Sequence, residues 1–333
     1  MASIGIIANP ASGKDIRRLV SYATVIDNNE KVNIVKRIVL AAQGYGIDEI
    51  YIMPDSFMMG GKVIDELLAE GVLRSDCRIV DMPIRADSSD STEAARAMNQ
   101  LGVGCVVILG GDGTSRAVAK SIGDVPIIPL STGTNNVYPS MFEGTVAGAA
   151  AAITALSPEP RLTCIHDKRI EAYIDGKLSD IALVDAVVST EISVGARAIW
   201  KTSSIRSIIV TRAHPASIGF SAVVGSLEIV KPEDDFGYSV DIGGEDVMVK
   251  ASIAAGIVER LNLSLARKLE LGRRYRQEID RNCTIALDGE REMQITSGEA
   301  VELCVSRNGP WRVDIRKTLE KAHAEGFFRV TTR

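Results

Sequence analysis

A glycine-rich turn at residues 110–114, Gly-Gly-Asp-Gly-Thr, constrains the fold of this chain more than any other feature. Residues 103–109 before it are apolar and rich in β-branched side chains, a pattern typical of a buried parallel strand. Residues 114–122 after it are predicted to form a helix. Glycines let the backbone approach a ligand closely, and the N–H groups at the start of a helix favour an anion. Asp112 would repel a phosphate there unless it held Mg²⁺ or took a proton, so the turn suggests phosphoryl transfer.

Strand and helix patterns alternate over residues 1–157. The strands are predicted at 4–8, 49–53, 78–82, 103–109 and 125–130. The helices are predicted at 30–43, 62–70, 91–101, 114–122 and 146–156. This order predicts an α/β nucleotide-binding domain with an open, Rossmann-like parallel sheet. Ligands of such sheets bind beyond the carboxyl ends of the strands.

A different pattern begins after Pro158-Glu159-Pro160, where polar and apolar residues alternate. Turn pairs recur in this region, at 175–176, 243–244, 288–289 and 308–309. Residues 169–174 and 178–188 are predicted to form a hairpin. We therefore expect a β-rich acceptor-binding domain at 158–316, followed by a C-terminal helix at 317–333 that packs back on the first domain.

Composition excludes several classes of protein. The 333 residues carry 38 Lys and Arg against 43 Asp and Glu, and only 5% are aromatic, which argues against nucleic-acid binding. The five cysteines are odd in number and form no Cys-x-x-Cys pair, as expected of reduced packing residues. The N-terminus has no basic region typical of a signal peptide, and no apolar stretch is long enough to span a membrane. We expect a cytoplasmic protein that acts on a small molecule.

Two further polar loops follow predicted strands. Asn9, Pro10, Ser12, Gly13 and Lys14 follow the first strand, and the serine hydroxyl and the lysine ammonium group suit phosphate oxygens. The loop is not a Walker A motif, because an aspartate follows the lysine. A tight loop shaped by the proline is the alternative interpretation.

The other loop contains Thr132, Gly133, Thr134, Asn135 and Asn136, after the strand predicted at 125–130. Its side chains can bond an adenine, a ribose or a phosphate, although all these residue types are common in loops. Three polar, glycine-bearing loops after three strands are harder to explain as chance.

The second half offers weaker candidates. Asp288 and Glu290 flank a glycine at a predicted hairpin turn, where Asp-Gly is common for conformational reasons alone. The functional interpretation makes one of them a second carboxylate that faces Asp112 across the cleft between the domains. Arg197 is a candidate cation for the same cleft, and a solvated surface explains it equally well.

The motifs resemble a known superfamily. Residues 9–13, 110–114 and 133–136, in this order, resemble motifs of the NAD kinases, diacylglycerol kinases and sphingosine kinases. Residues 288–290 are similar to the late acidic motif of the lipid kinases. Residues 130–139 and 194–200 look most similar to the acetoin-catabolism X proteins, which are regarded as ATP-NAD kinase-like.

The resemblance implies a fold and a site. It implies an NAD kinase-like α/β domain and a β-rich domain, with ATP and Mg²⁺ in the cleft between them and a homo-oligomeric assembly. Asp112 would be the catalytic carboxylate, as a base or as a ligand of Mg²⁺. The phosphates would be held by Gly110, Gly111, Gly113 and Thr114.

One departure bears on the acceptor. NAD kinases carry an Asn-Glu pair early in the second domain that binds the dinucleotide, and the nearest equivalent here is Asp185 followed by an alanine. This favours a smaller acceptor, and the family name hints at a short ketone or hydroxy-ketone. The predicted function is an ATP-dependent kinase of a small hydroxyl or carbonyl compound. An NAD kinase and a nucleotide-binding regulator without transfer activity are the alternatives.

Overall fold

The computed structural model describes residues 1–12, 26–133, 135–190 and 202–329. In the first half, strands and helices alternate. The elements are β1 (Ser3–Ala8), α1 (Asn28–Gly44), β2 (Glu49–Ile52), α2 (Met59–Ala69), β3 (Asp76–Ile79), α3 (Ser89–Leu101), β4 (Cys105–Gly110), α4 (Asp112–Ala119), β5 (Ile127–Ser131) and α5 (Gly144–Leu156). The predicted order of elements is confirmed, although the third strand begins two residues earlier and ends three residues earlier than expected.

The second half consists mostly of strands. The elements are β6 (Cys164–His166), β7 (Arg169–Ile174), β8 (Lys177–Ala182), β9 (Asp185–Ser189), β10 (Ile205–Val210), α6 (Phe220–Gly225), β11 (Phe236–Ala254), β12 (Ile257–Glu270), β13 (Arg274–Gln277), β14 (Cys283–Leu287), β15 (Glu290–Ile295), β16 (Val301–Ser306), β17 (Trp311–Val313) and α7 (Ile315–Ala324). The predicted β-rich region is confirmed.

The strands form three sheets. The first has the order β3-β2-β1-β4-β5-β17-β6, and its strands β1 to β5 are parallel. The other two are antiparallel, with the orders β12-β11-β10-β9-β14-β15 and β13-β16-β7-β8. The chain leaves β1 toward β2 and leaves β4 toward β5, so the strand order reverses between β1 and β4. Loops at this switch point leave a crevice, which is the usual ligand site of such sheets.

Small residues bring two helices close together on one face of the first sheet. Helix α1 buries Val35, Ile38 and Val39 against the sheet. A Cβ atom on Gly148 of α5 would lie 2.6 Å from the carbonyl oxygen of Ile38, so only glycine permits this separation. Helix α7 packs against α5 from the other end of the chain. No helix in the described ranges is both long and apolar enough to cross a membrane.

Two predictions within the second half were wrong. The strand expected at 178–188 is broken, because the N–H groups of Leu183 and Val184 donate to the carboxylate of Asp288 and the chain passes from one sheet to another. Gly243 and Gly244 form no turn, but lie within β11 at a shift in register with β12. Their φ angles of 103° and 77° suit a bulge that only glycine tolerates easily. The hairpins at 175–176 and 288–289 are confirmed.

A buried cluster of charges joins the two halves. Asp167, between β6 and β7, has no exposed surface and accepts hydrogen bonds from Arg212 at 2.8 Å and from Arg312 at 2.8 and 3.2 Å. The hydroxyl of Tyr138, from the loop after β5, donates to the same carboxylate at 2.7 Å. Burial would raise the pKa of Asp167, but the two guanidinium groups hold this pKa below its ordinary value.

We expect Asp167→Asn to lower the free energy of unfolding by about 3–5 kcal/mol at pH 7, because two buried guanidinium groups lose their counter-charge. Urea denaturation measures this difference. Since the folded-state pKa is depressed, the contribution is present above the unfolded-state pKa near 4 and is lost as the pH falls below it. The gap between wild type and variant should therefore shrink in acid.

The matched control is Asp235→Asn, which removes the carboxylate that pairs with Arg307 from a side chain that is 90% exposed. An exposed pair contributes about 0–1 kcal/mol, so this variant should unfold almost like the wild type. Equal decreases in the free energy of unfolding of the two variants would show that the buried cluster contributes no more to stability than an exposed ion pair.

Candidate functional site

The three predicted polar loops lie together at the carboxyl edge of the first sheet. The amide of Asn9, after β1, donates to the hydroxyl of Thr114 in α4 at 2.9 Å. The hydroxyl of Ser12 lies 3.0 Å from that of Thr132, after β5, and the N–H group of Thr132 donates to the carbonyl of Gly110 at 3.2 Å. The loops therefore form one hydrogen-bonded unit. The predicted residues Gly13, Lys14, Thr134 and Arg197 lie outside the described residues.

A buried lysine donates hydrogen bonds to the backbone of the first of these loops. The Lys31 side chain, in the first turn of α1, is fully buried, and its ammonium group donates to the carbonyl oxygens of Asn9 at 2.9 Å and Ser12 at 2.8 Å. It also lies 3.5 Å from the carbonyl oxygen of Pro10. Sequence analysis missed this residue. The available signal was its position beside the apolar residues of the helix, because a charged side chain buried there needs a hydrogen-bonding partner.

The glycines of the turn are needed for contacts within the protein. A Cβ atom on Gly110 would lie 2.4 Å from the Cβ of Thr114, and one on Gly111 would lie 2.7 Å from the side-chain oxygen of Asn136. The Asn136 amide also donates to the hydroxyl of Ser131 at 2.8 Å, which fixes the loop that contains Gly133. The glycines thus let three loops pack closely, in addition to the ligand role that the sequence suggested.

Asp112 is held in place by the backbone. It is the first residue of α4, and its carboxylate accepts hydrogen bonds from the N–H groups of Val137 at 3.0 Å and Tyr138 at 2.7 Å. The same tyrosine donates through its hydroxyl to the buried Asp167. A continuous chain of contacts therefore runs from the charge cluster between the halves to the carboxylate that the sequence singled out.

Asp112 lines a cavity of about 300 Å³ between the two halves. Its polar lining includes predicted residues from both halves: Asp112, Asn135, Asp185 and Asp288. Apolar side chains from the second half form much of the remaining wall: Ile205, Ile218, Phe220, Ile253 and Ile257. Thr202 and Glu259 also line the cavity, and their side chains are hydrogen-bonded at 3.0 Å.

The carboxylate of Asp288 is bound by backbone N–H groups. Its carboxylate is buried and accepts hydrogen bonds from the N–H groups of Leu183, Val184 and Asp185, at 2.7–3.2 Å. Burial raises the pKa of Asp288, while the nearby Arg116 and these N–H groups act in the opposite direction. Asp288 therefore orients the start of β9, and with it Asp185.

A second pocket, of about 320 Å³, lies between α3 and α4 and is lined by Gly113. Its other polar and charged residues are Arg85, Ser88, Ser89, Thr92, Glu93, Arg96, Arg116 and Lys120. Sequence analysis did not identify this pocket. The available signal was the pair of cations Arg116 and Lys120, four residues apart and about one and two turns after the glycines.

Arg116 connects this pocket to the second half. Its guanidinium group lies 3.3 Å from Asp180, 3.8 Å from Glu290 and 3.9 Å from Asp288. The Glu290 side chain also lies beside the turn, since a Cβ atom on Gly113 would be 2.8 Å from its carboxylate oxygen. Glu290 thus stands at the Gly113 side of α4, and Asp185 stands at the Asp112 side.

Asp112 and Gly113 are adjacent in the chain, but they line two different pockets. Asp112 faces a cavity with several carboxylates and apolar walls, whereas Gly113 faces a pocket with four cationic side chains. No three His, Cys, Asp or Glu side chains in the described part of the chain form a metal-binding group. Mg²⁺ is commonly held by one or two carboxylates together with phosphates and water. The candidate carboxylates at this turn are Asp112, the first residue of α4, and Glu290, which lies beside Gly113.

Comparisons with known proteins match the two halves of the chain to two different domains. Residues 4–158 match the ATP-NAD kinase N-terminal domain, and residues 168–308 match the acetoin catabolism protein X C-terminal domain. Acetoin catabolism protein X of Cupriavidus necator is 35% identical over 335 residues, which cover 96% of this chain and 92% of that protein. The structure of yeast NADH kinase complexed with NADH aligns with a TM-score of 0.49 at 14% identity, covering 100% of this chain and 90% of that one.

The fold is therefore a parallel-rich, NAD kinase-like α/β domain joined to antiparallel sheets. Since the 35% identity extends over nearly the whole chain and nearly the whole relative, it applies to both halves together. The chain belongs to the acetoin catabolism protein X family.

Proposed function

We propose that this protein is an ATP-dependent kinase that transfers the γ-phosphoryl group to a small hydroxyl or carbonyl compound. The observation that carries the proposal is the placement of Asp112 and Gly113. These neighbours in the chain face two different pockets, one acidic and one basic. A kinase needs such an arrangement, because a polyanionic donor and an acceptor hydroxyl must meet at one point from separate sites.

The basic pocket suits the donor. Arg85, Arg96, Arg116 and Lys120 supply positive charge, and the turn before α4 supplies backbone N–H groups near Gly113. Mg²⁺ bound with ATP would neutralise phosphate charge, and Glu290, whose carboxylate lies beside Gly113, is the residue that would complete its shell. The match of residues 4–158 to the ATP-NAD kinase N-terminal domain supports a donor site in this half.

The cavity suits the acceptor. The oxygen of an acceptor hydroxyl, or of the enol of a carbonyl compound, attacks the γ-phosphorus, and its proton passes to the Asp112 carboxylate. The bond between the γ-phosphorus and the bridging oxygen breaks, and ADP leaves with the electron pair. Val137 and Tyr138 hold the carboxylate through their N–H groups, which orient it for this step.

The size of the cavity and the domain match of the second half of the chain both favour a small acceptor over NAD. A volume of about 300 Å³ is at the lower end for ligand pockets, and a dinucleotide is large. The second half matches the acetoin catabolism protein X C-terminal domain, and the relative's name points toward a short hydroxy-ketone or a related compound.

We expect the purified protein to release ADP from Mg-ATP only when a suitable acceptor is present, and to form no NADP from NAD. Asp112→Asn should lower this turnover by a factor of about 10² or more, because the proton acceptor is lost. The fold should persist, since the asparagine side-chain oxygen can still accept the N–H groups of Val137 and Tyr138.

Asp124→Asn is the matched control, because this aspartate side chain is 81% exposed and pairs with Arg161 at the surface. It should retain wild-type turnover. An Asp112→Asn protein that binds ATP and turns over like this control would remove the carboxylate from the mechanism. NADP formation by the wild type would favour the alternative of an NAD kinase.

The donor pocket has its own test in Arg85, whose side chain is exposed and which follows β3 at the carboxyl edge of the sheet. Arg85→Gln should raise the Kd for Mg-ATP about tenfold, as expected for the loss of one charge-assisted hydrogen bond to a phosphate. Isothermal titration calorimetry measures the change. Arg74→Gln, an exposed residue that precedes β3 at the opposite edge, should leave the Kd unchanged, and equal values for both variants would exclude this pocket as the donor site.

A further inference from the structure

The inner face of strand β12 carries an acid where its neighbours are apolar. Ile257, Glu259 and Leu261 lie on the same side of the strand, because side chains of a strand alternate between its two faces. Leu261 is buried, and Ile257 lines the cavity together with Glu259. Val258 and Arg260, on the other face, are exposed. Glu259 therefore stands where the pattern of the strand predicts an apolar side chain.

Contacts on both sides of the hairpin β11–β12 fix the position of Glu259. Its partner on β11 is Ala251, which is buried. The N–H group of Gly219 donates to the carbonyl of Ser252 at 2.9 Å, which holds the hairpin against the segment that leads into α6. The hydroxyl of Thr202 donates to the Glu259 carboxylate at 3.0 Å. The carboxylate thus has a defined place in the wall of the cavity.

The contacts of Glu259 leave its negative charge uncompensated. Its hydrogen-bond partner Thr202 is neutral, and none of the described residues that line the cavity is a Lys, Arg or His. Taking a carboxylate partly out of water without a cation costs free energy, and a glutamine could accept the same hydrogen bond at lower cost. The charge itself therefore needs a reason, and the compound that occupies the cavity supplies one.

We infer that Glu259 selects the acceptor: the acceptor presents a hydrogen-bond donor, and no carboxylate or phosphate, to this side chain. A carboxylate can accept several hydrogen bonds, so Glu259 can serve Thr202 and a ligand together. Asp112 and Asp185 line the same cavity, and like charges repel strongly where water is partly excluded, so an anionic group is disfavoured there. The inference rests on the proposed function, because it names the acceptor class of that same site.

Three four-carbon compounds that share one hydroxyl and differ in charge at the next carbon test the inference. They are the neutral 1,2-butanediol, the cation 1-amino-2-butanol and the anion 2-hydroxybutanoate. Ligand-observed NMR titration of the full protein, without nucleotide, gives the Kd of each compound. We expect the anion to bind roughly tenfold more weakly than the diol, and the cation to bind at least as tightly as the diol.

The variant Glu259→Gln attributes this order to one side chain, because it removes the charge and keeps an oxygen that accepts a hydrogen bond. The affinity for 2-hydroxybutanoate should rise roughly tenfold, and that for 1-amino-2-butanol should fall by a similar factor. The affinity for the diol should change by less than about threefold. A merely structural role of Glu259 would weaken the binding of all three compounds together, so opposite shifts identify an effect of charge.

The matched control is Glu270→Gln, which removes the same charge from the far end of the same strand. The side chain of Glu270 is 76% exposed and lies 3.7 Å from Arg273. Because water and salt screen a charge at the surface, this variant should leave all three affinities unchanged.

Several outcomes would overturn the inference. These are equal or tighter binding of the hydroxy acid by the wild type, a parallel change of all three affinities in Glu259→Gln, equal changes in the control, and failure of all three compounds to bind. The proposed kinase function can fail separately. If the charge order holds but neither the diol nor the amino alcohol produces ADP with Mg-ATP, the kinase proposal fails and this inference stands. If the hydroxy acid is the best phosphoryl acceptor, the reverse holds.

Discussion

The buried carboxylate of Asp167 holds the site together. It receives two guanidinium groups, one from the end of β10 and one from β17, and the hydroxyl of Tyr138 from the loop after β5. Because the N–H group of Tyr138 in turn binds Asp112, a displacement of either half would move the candidate catalytic carboxylate. The guanidinium of Arg212 also lies 4.6 Å from the centre of the Tyr138 ring, which adds a cation–π contact to the same joint.

Main-chain N–H groups bind two of the acids that line the cavity. Asp112 is bound by N–H groups of residues 137 and 138, and Asp288 by those of residues 183–185. Backbone donors orient a carboxylate without cancelling its charge, so the cavity stays acidic. The cations are concentrated on the other side of α4, in the pocket lined by Gly113. In the kinase that we propose, this separation of charge across one helix N-terminus would let a phosphoryl donor and its acceptor bind in neighbouring pockets.

Local sequence patterns predicted the three loops that the first half of the chain contributes to the site. The rest of the site depends on contacts between residues that are distant in the sequence. The loops after β1, β4 and β5 were predictable, because parallel strands place their carboxyl ends at one edge. The pairing of Asp167 with Arg312, 145 residues away, leaves no periodic signal in the sequence. The break at Leu183 was equally hidden, since it depends on a carboxylate 105 residues further on. The pocket beside α3 was missed because serines before a helix are typical caps.

Most of the described walls of the cavity come from the second half of the chain, so the proposed function assigns donor chemistry and acceptor choice to different halves. Among the described lining residues, Asp112, Asn135 and Val137 come from the first half and the others come from the second. The two halves also match different families, the ATP-NAD kinase N-terminal domain and the acetoin catabolism protein X C-terminal domain. Substitutions in β9 to β12 can therefore reshape the acceptor cavity while the turn at 110–114 and its basic pocket stay as they are. Asp185, the nearest equivalent to the dinucleotide-binding pair of NAD kinases, lines the cavity, and in the proposed function it is the first position at which a change would alter the acceptor.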